Sequence, residues 1–306
     1  MDAIVSHFIE MHTTRFLFIT LGLTLFLCAC GTEQHQTEQS ELPPEETTFF
    51  DQTPPGKTPE LFAPGIVSTN ALEIELAIAP DMQTFYFVRQ LKGEPPKAHL
   101  MEYVNGTWEE TIFDRFDGEV FVSTDNQTLY LGNTYKVRTD TGWSAEQSLG
   151  PEYDEYPIMR LTASSAGTYV FDVRDTMGTL RYSRINGEVR DAPKAFGAVI
   201  NTGTWIAHPF IAPDESYLIW DATRPEGNGD SDLYISFRAE DGSWGPAINM
   251  GPDINNHQDN SYGSVSSDGK YFFFHTVDLS EGDGVANIFW VDAGVITTLR
   301  NQQVAP

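Results

Sequence analysis

Positive charge and thiols are what this 306-residue sequence has least of. Its 18 Lys and Arg face 44 Asp and Glu, a formal charge of −26. Phosphate backbones are held by Lys and Arg, so the balance excludes a nucleic-acid binder and disfavours adhesion to anionic lipid. It favours solubility and a diffuse attraction for cations. The two cysteines, Cys28 and Cys30, both lie near the N-terminus. No thiol follows them, which excludes a cysteine nucleophile or a disulfide in the rest of the chain. Long apolar runs are missing too. The most extended one, Phe16 to Leu27, falls short of the roughly 20 residues of a spanning helix. There is no Gly-x-Ser-x-Gly elbow, no His-Glu-x-x-His and no Gly-rich phosphate loop, so the usual hydrolase, metalloprotease and nucleotide-binding signatures are absent.

What is present is strand-forming. Hydrophobic residues make up 40% and aromatics 12%, enough for a large core. Tyr, Phe, Trp, Val and Thr suit a pleated, half-buried surface. Gly, Pro, Asn and Asp punctuate the chain at short intervals, as tight turns require. An all-β fold is expected.

A recurring unit makes this specific. Ile211-Ala-Pro-Asp214-Glu-Ser-Tyr217-Leu-Ile-Trp220 and Val265-Ser-Ser-Asp268-Gly-Lys-Tyr271-Phe-Phe-Phe274 both run strand, Asp-led turn, apolar strand. Earlier copies centre on Asp81 and Asp125, and a degenerate one on Ala166. The turns recur every 40–55 residues or so, near the period of four-stranded propeller blades. A third strand follows in each copy: Leu100–Val104, Tyr135–Arg138, Leu180–Arg184, Leu233–Phe237 and Asn287–Val291. An outer strand such as Pro246–Gly251 then closes the unit. The fifth copy has no clear outer strand, and Phe62–Ser68, ahead of the first copy, resembles one. The reading is a single β-propeller of four-stranded blades, five by repeat count, with an N-terminal strand closing the last blade and leaving no open sheet edge. A sixth blade within Asp191–Ala207 or after Val291 is the alternative.

The N-terminus reads as an address. Residues 1–29 have the shape of a secretory signal, with Arg15 ahead of the apolar run; the acidic residues before Met11 make Met11 an alternative start. Leu27-Cys28-Ala29-Cys30-Gly31 resembles the lipobox of bacterial lipoproteins. That resemblance implies lipidation of Cys30, loss of Cys28 with the signal, and, with Gly rather than Asp after the cysteine, sorting to the outer membrane. Residues 30–57, rich in Glu, Gln, Thr and Pro, read as a disordered tether, leaving 58–306 for the propeller.

Ser266-Ser267-Asp268-Gly269-Lys270-Tyr271, with Asp232-Leu233-Tyr234 and Asp241-Gly242-Ser243-Trp244, resembles the Ser-Pro-Asp-Gly-Lys repeat of TolB-type, WD40-like propellers of the periplasm. The likeness spans about residues 61 to 300, and its third copy departs by placing Ala166 at the turn Asp. It implies the propeller fold and, through the family's habit of docking envelope proteins, a protein partner. It does not by itself imply an activity.

Six residues before each turn position stand Glu75, Glu119, Arg160, His208 and Tyr262. With the register right, they form one ring at a channel mouth, where the inner strands begin. This ring is the candidate ligand site, against the plainer reading of a structural ring. Glu75 and Glu119 could serve as acid and base in a carbohydrate-active alternative. The loop Asp221–Asp232 offers oxygens that calcium could use, without EF-hand spacing. His257, Asp259 and Asn260 lack convincing metal-ligand spacing. No catalytic residue, cofactor or metal is assigned. The expected role is a lipid-anchored, non-catalytic module that binds an envelope protein or a small ligand such as a sugar.

Overall fold

The computed structural model describes residues 49–114, 116–175, 178–278, 280 and 284–304. Residues 47–306 form one compact unit. The signal segment, Cys30 and the first part of the expected tether lie outside the described residues.

The chain opens with β1 (Glu60–Leu61). It continues through β2 (Leu72–Ile78), β3 (Thr84–Gln90), β4 (Lys97–Val104) and β5 (Thr107–Asp114), which form the first blade. The second blade uses β6 (Val120–Val122), β7 (Thr128–Leu131) and β8 (Thr134–Thr139), with β9 (Gly142–Trp143) and β10 (Gln147–Ser148) both pairing β8. The third is β11 (Ile158–Ala163), β12 (Tyr169–Val173) and β13 (Thr179–Ser183), followed by the hairpin β14 (Ile185–Asn186) and β15 (Val189–Arg190) and closed by β16 (Lys194–Ala195). The fourth is β17 (Thr204–Ile211), β18 (Tyr217–Thr223), β19 (Asp232–Phe237) and β20 (Ile248–Asn249). The fifth is β21 (Asp259–Val265), β22 (Tyr271–Asp278) and β23 (Val285–Asp292), with α1 (Gly294–Val304) after it. The innermost strands β2, β6, β11, β17 and β21 touch in sequence, and β21 returns to β2. A ring of antiparallel meanders closed through its inner strands is a β-propeller. Residues 191–207 supply β16 and the start of β17, and α1 follows β23.

The repeating turn is built the same way each time. In four copies the Asp carboxylate accepts the N–H two residues on: Gln83 to Asp81 at 2.8 Å, Gln127 to Asp125 at 3.0 Å, Ser216 to Asp214 at 2.9 Å, Lys270 to Asp268 at 3.1 Å. The residue between is left-handed: Met82, Asn126, Glu215 and Gly269. Asp side chains stabilise such turns locally. The third copy lacks the Asp, and its turn is one residue shorter: Ala163 pairs Tyr169, where Ile211 pairs Leu218. There Gly167 takes the left-handed position, and the Ser164 hydroxyl accepts the Thr168 N–H at 3.1 Å.

The closing strand differs in position from the expectation. β1 pairs Glu60 with Trp290 and Leu61 with Phe289, and the Phe62 N–H continues the ladder to the Ile288 carbonyl at 2.9 Å. Residues 63–68 instead turn back on themselves, with the Ser68 hydroxyl on the Ile288 carbonyl at 2.9 Å. Pro64, which has no N–H, cannot extend such a ladder. The tether reading through Lys57 is also corrected. Phe49 is buried, its ring within 5.8–6.3 Å of those of Phe62, Phe85, Tyr271 and Trp290. Two consecutive phenylalanines in an otherwise polar stretch mark where it docks across the seam between the last and first blades. Fully burying one such ring stabilises by roughly 1.5–3 kcal/mol.

Candidate functional site

The site begins with a backbone irregularity. Four inner strands carry a register shift: between Ile74 and Ala77, Ile158 and Leu161, Ala207 and Phe210, and Ser261 and Ser264. Such bulges re-aim a side chain and free an N–H from the ladder. Glu75, Arg160, His208 and Tyr262 lie within these shifts, and Glu119 immediately precedes the short β6. Three of them have left-handed backbones, with φ of 62° at Glu75, 46° at His208 and 60° at Tyr262.

The freed N–H groups are captured by side chains of the second strands. The Tyr262 N–H donates to the Asp221 carboxylate at 3.0 Å, and the His208 N–H to Asp172 at 2.9 Å. The Glu75 N–H donates to His275 Nδ1 at 3.3 Å. In each case a side chain of one blade holds the ring residue of the next. Asp172 also accepts the Arg160 N–H at 2.9 Å within its own blade. These second-strand residues were not anticipated, although a signal exists. The segments Phe85-Tyr-Phe-Val88, Leu129-Tyr-Leu-Gly132, Tyr169-Val-Phe-Asp172, Leu218-Ile-Trp-Asp221 and Phe272-Phe-Phe-His275 align. A charged or titratable residue ending an apolar run needs a buried partner.

The five ring residues converge. The Arg160 guanidinium stacks 3.6 Å above the Tyr262 ring, and His208 lies 5.4 Å from it, centroid to centroid. His208 Nδ1 is 2.8 Å from Asp221, and Nε2 is 3.4 Å from Glu119. Glu75 and Glu119 act electrostatically on Tyr262 alongside Arg160 and Asp172. The expected position at a channel mouth is corrected. Glu75, Glu119, Arg160 and Tyr262 are buried and His208 is half-buried, so the ring is a plug across the channel. The bulges set Glu75, Arg160, His208 and Tyr262 at mid-strand rather than at a strand end.

Burial sets the charges. Desolvation pulls His208 down, but Asp221 and Glu119 outweigh it and hold the imidazole well above its usual range. With a carboxylate at each nitrogen, it is a double donor. Burial, reinforced by Glu119, pushes Asp172 up to about 6. Desolvation, with His208 and Arg160 adding to it, pushes His275 down to about 3. Neutral His275 accepts at Nδ1, so Nε2 carries the proton toward Ser261 Oγ at 2.9 Å, and Ser261 donates to Asp259 at 2.7 Å. Burial drives the Tyr262 phenol well above its usual range, keeping it neutral.

On one side of the plug lies an axial cavity of about 250 Å³. Ile78, Val122, Ile211 and Val265 contribute to its wall, one from each of four inner strands, and the fifth inner strand contributes Arg160. Pro80, Thr124, Ser165, Pro213 and Ser267, one from each turn, reach it from the far end. It lies where the inner strands end, opposite the expected side. Arg160 is the one ring residue in its lining; neither Glu75 nor Glu119 is part of it.

No family model and no curated protein matches the sequence. Solved structures similar to the chain include TolB from Acinetobacter baumannii, at 13% identity and TM-score 0.43, over 73% of this chain and 57% of that one. A gluconolactonase from Xanthomonas campestris is similar at 11% identity and TM-score 0.44, over 77% and 87%. A periplasmic gluconolactonase from Pseudomonas aeruginosa is similar at 12% identity and TM-score 0.39, over 70% of each chain. The chain thus spans little more than half the length of that TolB. At this distance the likenesses carry no functional argument.

The calcium and metal alternatives find no support in the loop geometry. The Asp232 carboxylate accepts the N–H groups of Asn228 and Gly229 at 2.6 and 3.0 Å and Asn249 Nδ2 at 2.8 Å. It pins the loop, and Asp221 faces the plug. Among the described residues, no three of His, Cys, Asp and Glu are grouped to hold a metal ion. Among them also, no helix is long and apolar enough to cross a membrane.

Proposed function

We propose that the chain is a non-catalytic binding module of the bacterial envelope, anchored through a lipid on Cys30, and that it takes a small ligand into the axial cavity. The observation that carries this reading is the cavity itself, to which every inner strand contributes. Concave, mostly apolar spaces with a few convergent polar groups are where small ligands bind. The acid–base alternative is less well supported. Glu75 and Glu119 are buried outside the cavity lining, whereas a catalytic carboxyl must come within hydrogen-bond reach of its substrate.

The test is a cavity-filling variant. Ligand-observed NMR with a panel of small metabolites should detect binders to the wild-type protein, and Val265→Trp should abolish their signals. Glycan turnover that disappears in Glu75→Gln would overturn the non-catalytic reading. For the anchor, Cys30→Ser should move the protein from the membrane fraction to the soluble one; unchanged fractionation would refute lipidation there.

A further inference from the structure

Closing the ring through its inner strands leaves the outermost strand of every blade with one edge toward solvent. Four of the five are blunted by length: β10, β16, β20 and β1 run for only two residues each. β5 runs for eight. Very short edge strands, Pro and Lys are how sheet proteins keep an edge from pairing with another chain. β5, Thr-Trp-Glu-Glu-Thr-Ile-Phe-Asp, has none of these. It is exposed along its length apart from half-buried Trp108 and Phe113. Among the described residues, no backbone hydrogen bond joins residues 107–114 to any segment but β4. Which groups point outward follows from the turn. Asn105 and Gly106, both left-handed, make a two-residue hairpin loop. The flanking pair, Val104 and Thr107, exchanges hydrogen bonds, and the antiparallel alternation turns the N–H and C=O groups of Thr107, Glu109, Thr111 and Phe113 toward β4. Those of Trp108, Glu110 and Ile112 face away from it, at the spacing an added strand would match.

The charges along this edge select its occupant. Glu109 stands directly opposite Glu102, both are exposed, and among the described residues neither has an ion-pair partner. Glu110, by contrast, is answered by His99 at 2.7 Å. Like charges directly opposite one another in a sheet are destabilising. An added strand sets a side chain beside Glu109 on the same face, and a Lys or Arg there relieves the repulsion. The chain's own N-terminal segment does not supply it: residues 32–48 hold five Glu and no Lys or Arg. A second copy would bring a further charge of −26 to the contact, and net charge of that size keeps copies apart. On the other face of β5, Ile112 is 54% exposed and offers an apolar contact.

We propose that β5 is a docking edge for another protein, which adds an extended segment bearing Lys or Arg beside Glu109 and an apolar side chain beside Ile112. This surface is independent of the axial cavity. The probe is a fluorescently labelled heptapeptide, Thr-Lys-Val-Lys-Val-Lys-Thr, which places Lys on one face of a strand and Val on the other. The same peptide with Glu in place of Lys is the control. By fluorescence anisotropy on the full chain at low salt, the Lys form should bind roughly tenfold or more tighter than the Glu form, and the gap should shrink as salt is added. Ile112→Pro removes an outward N–H and spares the ladder to β4. It should abolish binding, whereas Ile112→Val should keep it. Because a proline could still disturb the hairpin, Glu109→Lys is the second variant. It should weaken the Lys form several-fold and narrow its lead over the Glu form. Failure of the Lys form to bind would overturn the proposal. Binding of equal strength by the parent and by Glu109→Lys or a folded Ile112→Pro would also overturn it, by showing only diffuse attraction to an acidic surface. So would self-association of the parent that Ile112→Pro removes, since a second copy would then hold the edge.

Discussion

The junctions between blades come in two kinds. From the third blade to the fourth, the fourth to the fifth and the fifth to the first, a second-strand Asp172, Asp221 or His275 reaches across and takes the N–H of the next ring residue. From the first to the second and the second to the third, the matching positions are Val88 and Gly132. The Glu119 N–H then goes to the Met159 carbonyl at 2.9 Å, and backbones pack directly. A Cβ on Gly132 would stand 2.7 Å from the Ile158 carbonyl oxygen. The three latched ring residues, Glu75, His208 and Tyr262, are the three with left-handed backbones. A left-handed non-Gly residue costs about 1–2 kcal/mol; a hydrogen bond to a carboxylate, as at His208 and Tyr262, returns about 1.5–3 kcal/mol, and one to neutral His275, as at Glu75, about 0.5–1.5 kcal/mol. The strain persists because the neighbouring blade offsets it. One half of the ring is therefore joined by buried polar latches that also position the plug, the other by close apolar and backbone packing.

The sharpest way to break this contrast is Asp221→Ala. It leaves the His208 imidazolium and the Tyr262 N–H without their carboxylate, and should cost about 3–5 kcal/mol, read as a lowered urea midpoint. Val88→Ala, at the matching place in the first blade, loses only buried methyl groups and should cost about 2 kcal/mol. Equal losses in the two variants would erase the distinction. Gly132→Ala probes the other kind of junction. Gly132 has φ +64° and the carbonyl contact, so about 2 kcal/mol or more is expected, and a neutral outcome would mean the backbones are not in close contact there.

The smallest effect is a pH slope. His275 is held at about 3 in the folded protein against about 6.5 unfolded. The unfolded chain therefore binds more protons between those values, and stability is lost as pH falls through that window. Asp172, raised to about 6, acts in the opposite sense: it favours the folded state as pH falls from about 6 toward 4. His275→Asn keeps an acceptor near the Nδ1 position but cannot titrate. Urea midpoints between pH 7 and 4 should fall less steeply in this variant than in the parent, and parallel slopes would show that His275 is not buried neutral.

The repeat was legible because turn chemistry is local. An Asp, a left-handed residue and an apolar strand leave their mark wherever they recur, so the inner and second strands, the third strands and the six-residue offset to Glu75, Glu119, Arg160, His208 and Tyr262 could all be read directly. The degenerate third copy was found by spacing and hydrophobicity, because no Asp stands at its turn; Ser164 holds the Thr168 N–H as Ser123 and Ser266 hold those of Thr128 and Tyr271. Phe49 was missed because its partners Phe85 and Trp290 are far along the chain. The latches were missed for a related reason: an Asp at the end of a strand reads as a turn residue until the next blade is beside it.

The sequence alone determined that four-stranded modules recur and that five polar or aromatic side chains share one offset, since both come from short-range backbone preference and a fixed period. Only the tertiary structure decided that those side chains meet as a buried plug and that the open space lies beyond the strand ends. It also decided that Arg160 alone of the five reaches that space. Depth, facing and charge balance depend on neighbours that the chain brings together only when its last blade closes on its first.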